Sequence, residues 1–90
     1  MSPVVIPAVL RPSVAGAKSL ELDGTTVGEL VTALLERHPG LGGQLLTPDG
    51  ELNRFVNVYV NGQDVRYLEG LATPVTGPDE VRLLPAMAGG

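Results

Sequence analysis

The sequence contains no cysteine. This absence excludes disulfide bonds, thiolate metal sites and a cysteine nucleophile, although it leaves the redox compartment open. The only histidine, His38, stands beside Pro39 at the end of a predicted helix, where a cation has a favourable interaction with the helix dipole. Since a Ser-His-Asp set is also lacking, the chain is not expected to be an enzyme.

Basic residues are few. Six lysines and arginines are scattered along the chain, and the net charge is −4 with a pI of about 4.7. Non-specific binding to nucleic acid requires clustered cations that neutralise phosphates. Nucleic acid is therefore excluded as a partner.

Long apolar runs are also lacking. No stretch approaches the ~18 residues that a membrane-spanning helix needs. The first residues do not show a basic region followed by an apolar run and a cleavage site, so no signal peptide is predicted. We expect no membrane partner and a location in the cytoplasm.

The chain does contain enough apolar residues for a folded core. Hydrophobic residues make up 43% of its 90 residues, with eight prolines and twelve glycines that favour turns over long helices. A chain of this length can bury one core but not two. We therefore predict a single domain over residues 1–90, in which residues 86–90 form an exposed Gly-Gly tail.

The first half of the sequence predicts a hairpin and a helix. Residues 4–10 are apolar and rich in β-branched side chains, and residues 19–23 alternate polar and apolar side chains. Apolar residues at i, i+3, i+4, i+7 and i+8 from Val27 predict a helix over 27–37. Thr26 and Glu29 form a capping box at its start.

The second half predicts a second hairpin and a last strand. Residues 55–60 alternate cleanly, and Asn61-Gly62 is typical of a type I′ turn. The chain can return over 63–67, and residues 80–84 form the last strand. Hairpin, helix, hairpin and strand in this order predict an α+β fold of the β-grasp, ubiquitin-like type. Its mixed sheet has four to five strands, one main helix on one face, and the first and last strands parallel in the middle.

The chain ends in a slim tail that suits delivery of a carboxylate. From Pro85 to Gly90 the extended chain can reach up to about 20 Å. Glycine has no Cβ, so Gly89 and Gly90 can enter a narrow channel together with Met87 and Ala88. The terminal carboxylate is an unreactive anion at neutral pH. It needs activation as an acyl-adenylate by ATP, which implies a separate activating enzyme.

The ending Leu83-Leu84-Pro85-Ala86-Met87-Ala88-Gly89-Gly90 resembles that of the ThiS/MoaD superfamily, the sulfur carriers of thiamine and molybdopterin synthesis. Further segments resemble the branch of this superfamily that serves cysteine synthesis in actinobacteria. These segments are residues 54–61 (Arg-Phe-Val-Asn-Val-Tyr-Val-Asn), 64–66 (Asp-Val-Arg), 70–73 (Gly-Leu-Ala-Thr), 6–7 (Ile-Pro) and 10–12 (Leu-Arg-Pro).

The resemblance implies a carrier that partner enzymes act on. An adenylyltransferase and sulfurtransferase related to ubiquitin-activating enzymes would convert Gly90 to a thiocarboxylate (1-thioglycine). A cysteine synthase with pyridoxal phosphate would then accept the sulfur on a bound aminoacrylate, and a zinc metalloprotease would release cysteine. ATP, pyridoxal phosphate and zinc would belong to these partners, and the carrier would be a monomer when free.

Other functions remain open at this point. The sulfur could go to molybdopterin, thiamine or a sulfur-containing secondary metabolite instead of cysteine. A ubiquitin-like modifier that forms isopeptide bonds would use the same activated Gly90. A plain binding module would need the tail only for docking.

A docking patch is predicted on the sheet face away from the helix. Phe55 and Tyr59 alternate with the core-facing valines of their strand, and Leu84 should face the same way on the last strand. Together with Arg54 they form an apolar surface near the tail, and such surfaces often mark interaction sites.

Overall fold

The computed structural model describes residues 1–85; residues 86–90 lie outside the described part. Five strands form the sheet: β1 Ser2–Val5, β2 Ser19–Leu22, β3 Val56–Val60, β4 Gln63–Asp64 and β5 Val81–Pro85. Two α-helices, α1 Val27–Arg37 and α2 Gly42–Leu45, are accompanied by 3-10 helices at Ala8–Val14, Pro39–Leu41, Val65–Tyr67 and Gly70–Ala72.

The strand order is β2-β1-β5-β3-β4. β1 is parallel to β5, with Val5 opposite Arg82, and the other neighbours are antiparallel. The predicted β-grasp arrangement is confirmed. One edge of the sheet, here called the tail edge, contains the end of β5 at Pro85, the end of β1, and the starts of β2 and β3.

Helix α1 covers one face of the sheet and has the predicted bounds. Its apolar stripe is buried, and the Thr26 hydroxyl accepts a hydrogen bond of 3.1 Å from the backbone N–H of Glu29. The Glu29 carboxylate returns to the backbone N–H of Thr25 at 2.8 Å, one residue earlier than a standard capping box. The cap contributes about 1 kcal/mol to helix stability.

The core lies between α1 and the sheet. Alternate residues of β3 and β5 point into it, and α2 closes one side. The most deeply buried side chains are Ile6, Leu22, Leu30, Leu34, Leu41, Leu45, Leu83, Val14, Val27, Val58, Val65 and Val81. No helix in residues 1–85 combines the length and apolarity needed to cross a membrane.

The prediction of one strand over 4–10 is wrong beyond Val5. The chain instead enters the 3-10 helix Ala8–Val14, which buries Leu10 and Val14 at a helical spacing. Prolines explain the change, because they lack the backbone N–H that a strand would donate. Pro7 precedes this helix in an extended conformation and Pro12 lies within it.

The predicted return strand over 63–67 is also too long. The Asn61-Gly62 turn forms with positive φ at both residues, but pairing stops at Asp64. The Asp64 carboxylate accepts a hydrogen bond of 2.8 Å from the backbone N–H of Arg66 and starts the 3-10 helix Val65–Tyr67. This turn buries Val65 fully in the core.

The turn at the other end of the sheet holds a carboxylate in its ionised form. A hydrogen bond from the Asn61 amide (3.0 Å) and one from the backbone N–H of Thr76 (2.9 Å) lower the pKa of Asp79 below its ordinary 3.8. Because the pKa of Asp79 is lower in the folded state, the ionised carboxylate stabilises the fold at pH values above its ordinary pKa. This stabilisation is lost as the pH falls through the pKa of the folded state. Asn61→Ala should therefore raise the pKa of Asp79 in an NMR titration, and an unchanged pKa would contradict this cause.

Candidate functional site

The predicted reactive residues follow β5 in the sequence. Gly90, with Met87, Ala88 and Gly89, is outside the described residues. The structure does fix where this segment starts, because Pro85 pairs with Val56 in the sheet. The tail therefore departs from the tail edge, next to the start of β3.

The four residues of the predicted docking patch belong to two neighbouring strands. Tyr59 is in β3, Leu84 is in β5, and Arg54 and Phe55 come directly before β3. Leu84 is opposite Asn57, and Tyr59 is opposite Arg82, on the face away from α1. Phe55 is 57% exposed and Leu84 is 36% exposed, whereas Tyr59 is half-buried.

Arg54 and Phe55 form the part of the patch closest to the tail. The guanidinium carbon of Arg54 lies 5.4 Å from the centre of the Phe55 ring. A cation–π contact at an exposed site contributes about 0.5–1 kcal/mol. It orients both side chains at the start of β3, so that an apolar ring and a positive charge stand together beside Pro85.

A groove next to Phe55 extends this surface beyond the prediction. It has a volume of about 330 Å³ and is lined by Val9, Leu10, Gly43, Gln44, Asn53, Phe55 and Val56. Val9 is 66% exposed, because the 3-10 helix turns it outward while Leu10 and Val14 face the core. Val9 was not predicted to be part of this surface, because residues 4–10 were predicted to form a strand; the five-residue spacing of Pro7 and Pro12 was the available signal.

Arg66 organises the start of β3 and was not singled out from the sequence. Its guanidinium donates hydrogen bonds to the Asn57 side chain (2.7 Å) and to the backbone carbonyls of Asn53 (3.0 Å) and Val56 (2.9 Å). β4 pairs only with Tyr59 and Val60. On the side of β3 that faces away from β5, the hydrogen bonds of Arg66 therefore take the place of a strand partner along the first half of β3. They hold the segment that carries the patch.

Replacement of Arg66 should destabilise this segment. Arg66→Ala removes three hydrogen bonds from a charged donor, and we expect the free energy of unfolding to fall by about 1–3 kcal/mol. Urea denaturation would measure the change. Arg66→Lys is the matched control. Its ammonium group keeps the charge but cannot reach all three acceptors as a guanidinium does, so its free energy of unfolding should lie between those of Arg66→Ala and the parent protein. A midpoint for Arg66→Ala equal to that of the parent protein would contradict this role.

Residues 1–85 bring no group of three or more His, Cys, Asp or Glu side chains together for a metal ion. His38 caps the end of α1, as predicted, and its backbone N–H donates to the Leu34 carbonyl at 2.9 Å. The ion pair of Arg82 with Glu80 (3.2 Å) is half-exposed and contributes little. What the arrangement can do is present an apolar, cationic surface around the start of the tail.

Comparison with known proteins gives a consistent result. The model of the ThiS family matches residues 4–90. The sulfur carrier protein CysO of Mycobacterium tuberculosis is 45% identical over 89 residues, which covers 97% of this chain and 96% of the relative. Small archaeal modifier protein 3 of Haloferax volcanii is 40% identical over 80 residues and 86% of both chains. A chain in the crystal structure of the BexX/CysO complex of Amycolatopsis orientalis superposes with a TM-score of 0.91, at 42% identity and full coverage of both chains.

Proposed function

The chain belongs to the ThiS family, as a small carrier of the CysO type rather than an enzyme, and we propose that it works through a thiocarboxylate at Gly90. In this proposal Gly90 is adenylated, receives sulfur and donates it in biosynthesis, with cysteine as the product. The protein is thus a co-substrate that partner enzymes load and unload.

One observation carries this proposal. The family match runs from residue 4 through residue 90, so that it includes both the β-grasp domain and the Ala88-Gly89-Gly90 ending. The geometry supports it, because β5 anchors the tail at Pro85 and leaves five residues beyond it. Five extended residues reach about 17 Å, enough to place a carboxylate inside a partner's site while the domain stays on its surface.

The proposed chemistry is an acyl activation followed by sulfur transfer. A carboxylate oxygen of Gly90 attacks the α-phosphate of ATP, and pyrophosphate leaves. A hydrosulfide ion then attacks the acyl carbonyl, the C–O bond to the phosphate breaks, AMP leaves with the electron pair, and the sulfur loses its proton to solvent. The result is a thiocarboxylate, in which one terminal oxygen is replaced by sulfur. The sequence has no cysteine, and residues 1–85 bring no cluster of His, Asp or Glu together for a metal ion, so the proposal assigns the catalysis to partners.

The resemblance to the sulfur carriers of cysteine synthesis implies three partners. An adenylyltransferase and sulfurtransferase related to ubiquitin-activating enzymes supplies the ATP site. A cysteine synthase with pyridoxal phosphate accepts the sulfur, and a zinc metalloprotease frees the product and regenerates Gly90. Because the first step consumes ATP, we include a cytoplasmic location in the proposal.

The docking patch gives these partners a common surface. Arg54 and Phe55 precede Val56, the partner of Pro85, Leu84 precedes Pro85 itself, and Tyr59 lies three residues further along β3. The groove beside Val9 adjoins Phe55. Arg54 brings a positive charge to this area, although the chain as a whole is acidic at −4. The surface therefore fits a partner face that is apolar at its centre and acidic at its rim.

A second function is favoured by one comparison. Relatives named as small archaeal modifier proteins share 35–40% identity with this chain. A modifier uses the same activated Gly90, but a lysine amine attacks in place of sulfur, and an isopeptide bond results. Sulfur transfer to molybdopterin, thiamine or a secondary metabolite would instead change only the final acceptor.

Reconstitution separates these functions. The full chain is incubated with ATP, a sulfide donor and an adenylyltransferase of the ubiquitin-activating type, and intact mass is measured. Replacement of one oxygen by sulfur at Gly90 supports the proposal. Release of pyrophosphate without incorporation of sulfur, together with attachment of the chain to other proteins, would contradict the carrier function and support the function of a protein modifier.

A further inference from the structure

The dipeptide Asn61-Gly62 has a chemical property besides its turn conformation. The chain has three asparagines, and the residues that follow them are Arg54, Val58 and Gly62. A backbone nitrogen can attack the side-chain amide carbon of the asparagine before it, provided that its own residue leaves room for the attack. Glycine has no Cβ and leaves the most room. Asn61 is therefore the asparagine of this chain at which the attack is least hindered.

The fold leaves this dipeptide open to water. Asn61 and Gly62 are both exposed, in the turn between β3 and β4. A Cβ built on Gly62 would meet no atom of a non-adjacent residue within 4 Å. Water therefore has access to both residues.

Three hydrogen bonds join Asn61 to Asp79 and Glu80, and we call this arrangement the Asn61 clasp. The side-chain amide donates to Oδ1 of Asp79 at 3.0 Å, and the amide oxygen accepts from the backbone N–H of Glu80 at 3.0 Å. The backbone N–H of Asn61 donates to the Glu80 carbonyl at 2.9 Å. Asp79 is itself held, because the backbone N–H of Thr76 donates to its Oδ2 at 2.9 Å. The clasp therefore ties the end of β3 to the residues just before β5.

The clasp opposes attack at the amide carbon. Both polar atoms of the Asn61 side chain are engaged, so that the side chain is held in one orientation. Ring closure moves the amide carbon to the Gly62 nitrogen, and this movement breaks both bonds. Local openings of exposed segments cost less than global unfolding and have their own equilibrium. The rate of ring closure then depends on how often the clasp opens.

We propose that Asn61 is a site of deamidation and that the Asn61 clasp sets its rate. The Gly62 nitrogen, after loss of its proton, attacks the amide carbon of Asn61. A C–N bond forms, the bond to Nδ2 breaks, and ammonia leaves with a proton. Water then opens the cyclic imide: hydrolysis at the side-chain carbonyl gives aspartate, and hydrolysis at the backbone carbonyl gives isoaspartate. This inference is independent of the proposed chemistry at Gly90.

Neither product fits the clasp. Aspartate at position 61 has no amide N–H to donate, and its carboxylate would face Asp79 where the present contact is 3.0 Å. Like charges at such a distance repel each other and raise the pKa of a carboxyl group. Isoaspartate lengthens the backbone by one methylene next to Val60, which pairs with both Gln63 and Val81. Because the ammonia is lost, the change is permanent, and it weakens the junction of β3 with β5 as the chain ages.

Incubation of the full chain in warm, mildly alkaline buffer tests the proposal. Peptide mapping by mass spectrometry follows conversion at each asparagine and detects isoaspartate. We expect conversion at Asn61 ahead of Asn53 and Asn57, and faster conversion in guanidinium chloride than in the folded chain. Asp79→Ala removes the acceptor of the amide N–H. It should raise the rate in the folded chain by about 10-fold, the effect of one hydrogen bond to a charged group.

Two control variants separate the clasp from local charge and from stability. Glu80→Ala removes a neighbouring carboxylate but keeps the backbone N–H that donates to Asn61, so it should deamidate at the parent rate. Arg66→Ala destabilises the start of β3, at the other end of the strand from the clasp, and should also stay near the parent rate.

Four results would overturn the proposal. The first is an equal rate in the folded chain and in guanidinium chloride, and the second is an equal rate in Asp79→Ala and the parent. The third is an acceleration in Glu80→Ala or Arg66→Ala as large as that in Asp79→Ala. The fourth is conversion at another asparagine that keeps pace with Asn61.

The product of the reaction is tested separately. Asn61→Asp has the side chain of one deamidation product, and its urea midpoint should be lower than that of the parent because two carboxylates then meet in the clasp. A midpoint equal to that of the parent would overturn the proposed loss of stability.

Discussion

Deletion of Gly90 is expected to abolish thiocarboxylate formation while the domain stays folded. The deletion shortens the tail by about 3.5 Å, so the terminal carboxylate no longer reaches the α-phosphate of ATP in the partner's site. Misplacement by only 1 Å can cost about 100-fold in rate, and we expect a loss of at least about that size. Pyrophosphate exchange and intact mass would measure the two steps.

A length-preserving change is the control for this deletion. Ala88→Gly keeps all 90 residues, and it should load sulfur at close to the parent rate. The urea midpoint of both variants should equal that of the parent, because residue 88 and residue 90 lie beyond β5. A deletion variant that still accepts sulfur at the parent rate would show that Gly90 is not the acyl group, and weaker binding alone would favour a plain binding module.

Loss of the Phe55 ring is expected to weaken recognition by the activating enzyme. Truncation of an aromatic at the centre of an interface commonly costs more than about 1 kcal/mol and up to several. We therefore expect Phe55→Ala to raise KM for the carrier by about 10-fold to 100-fold, with a much smaller change in kcat. Since the ring is 57% exposed, the fold should lose little stability.

Tyr67→Ala is the matched control for Phe55→Ala. Tyr67 is also an exposed aromatic, at 88%, but it lies in the 3-10 helix after β4 and outside the predicted patch. Its removal should leave KM unchanged. Equal effects of the two substitutions, or no effect of either, would contradict the patch as the docking surface.

The parts of the fold with clear periodicity could be predicted from the sequence. The stripe from Val27 and the Thr26 cap predicted α1 with correct bounds, because the same residues satisfy both the core and the helix start. Alternation over 55–60 predicted β3, and Asn61-Gly62 predicted the turn that follows. The resemblance to the ThiS/MoaD superfamily is likewise confirmed.

Errors occurred where apolar residues had two possible structures. Residues 6–10 have a composition that fits a strand, but Leu10 and Val14 reach the core only through a helical turn. Val65 looks like part of a return strand, yet Asp64 caps a turn that buries it. Local hydrogen bonds and burial determine the structure of these two segments. Neither factor can be read from the periodicity of hydrophobic residues in such a short apolar run.

The residue proposed to carry the sulfur could be predicted from the sequence, whereas part of the surface near the start of the tail could not. Gly90 and the patch residues came from the ending and from strand alternation, and they stay a prediction. Val9 and Arg66 depend on how distant segments meet: Arg66 contacts Asn53 and Asn57, which are at least nine residues away in the sequence.

Intact mass of the protein isolated from its native cells tests the central claim most directly. Cells are grown with ample sulfur, and the chain is purified without reducing or alkylating reagents that attack thiocarboxylates. The account predicts a fraction of chains in which one oxygen of the terminal carboxylate is replaced by sulfur, with fragmentation assigning the change to Gly90. A population that carries only the unmodified carboxylate under these conditions would contradict it.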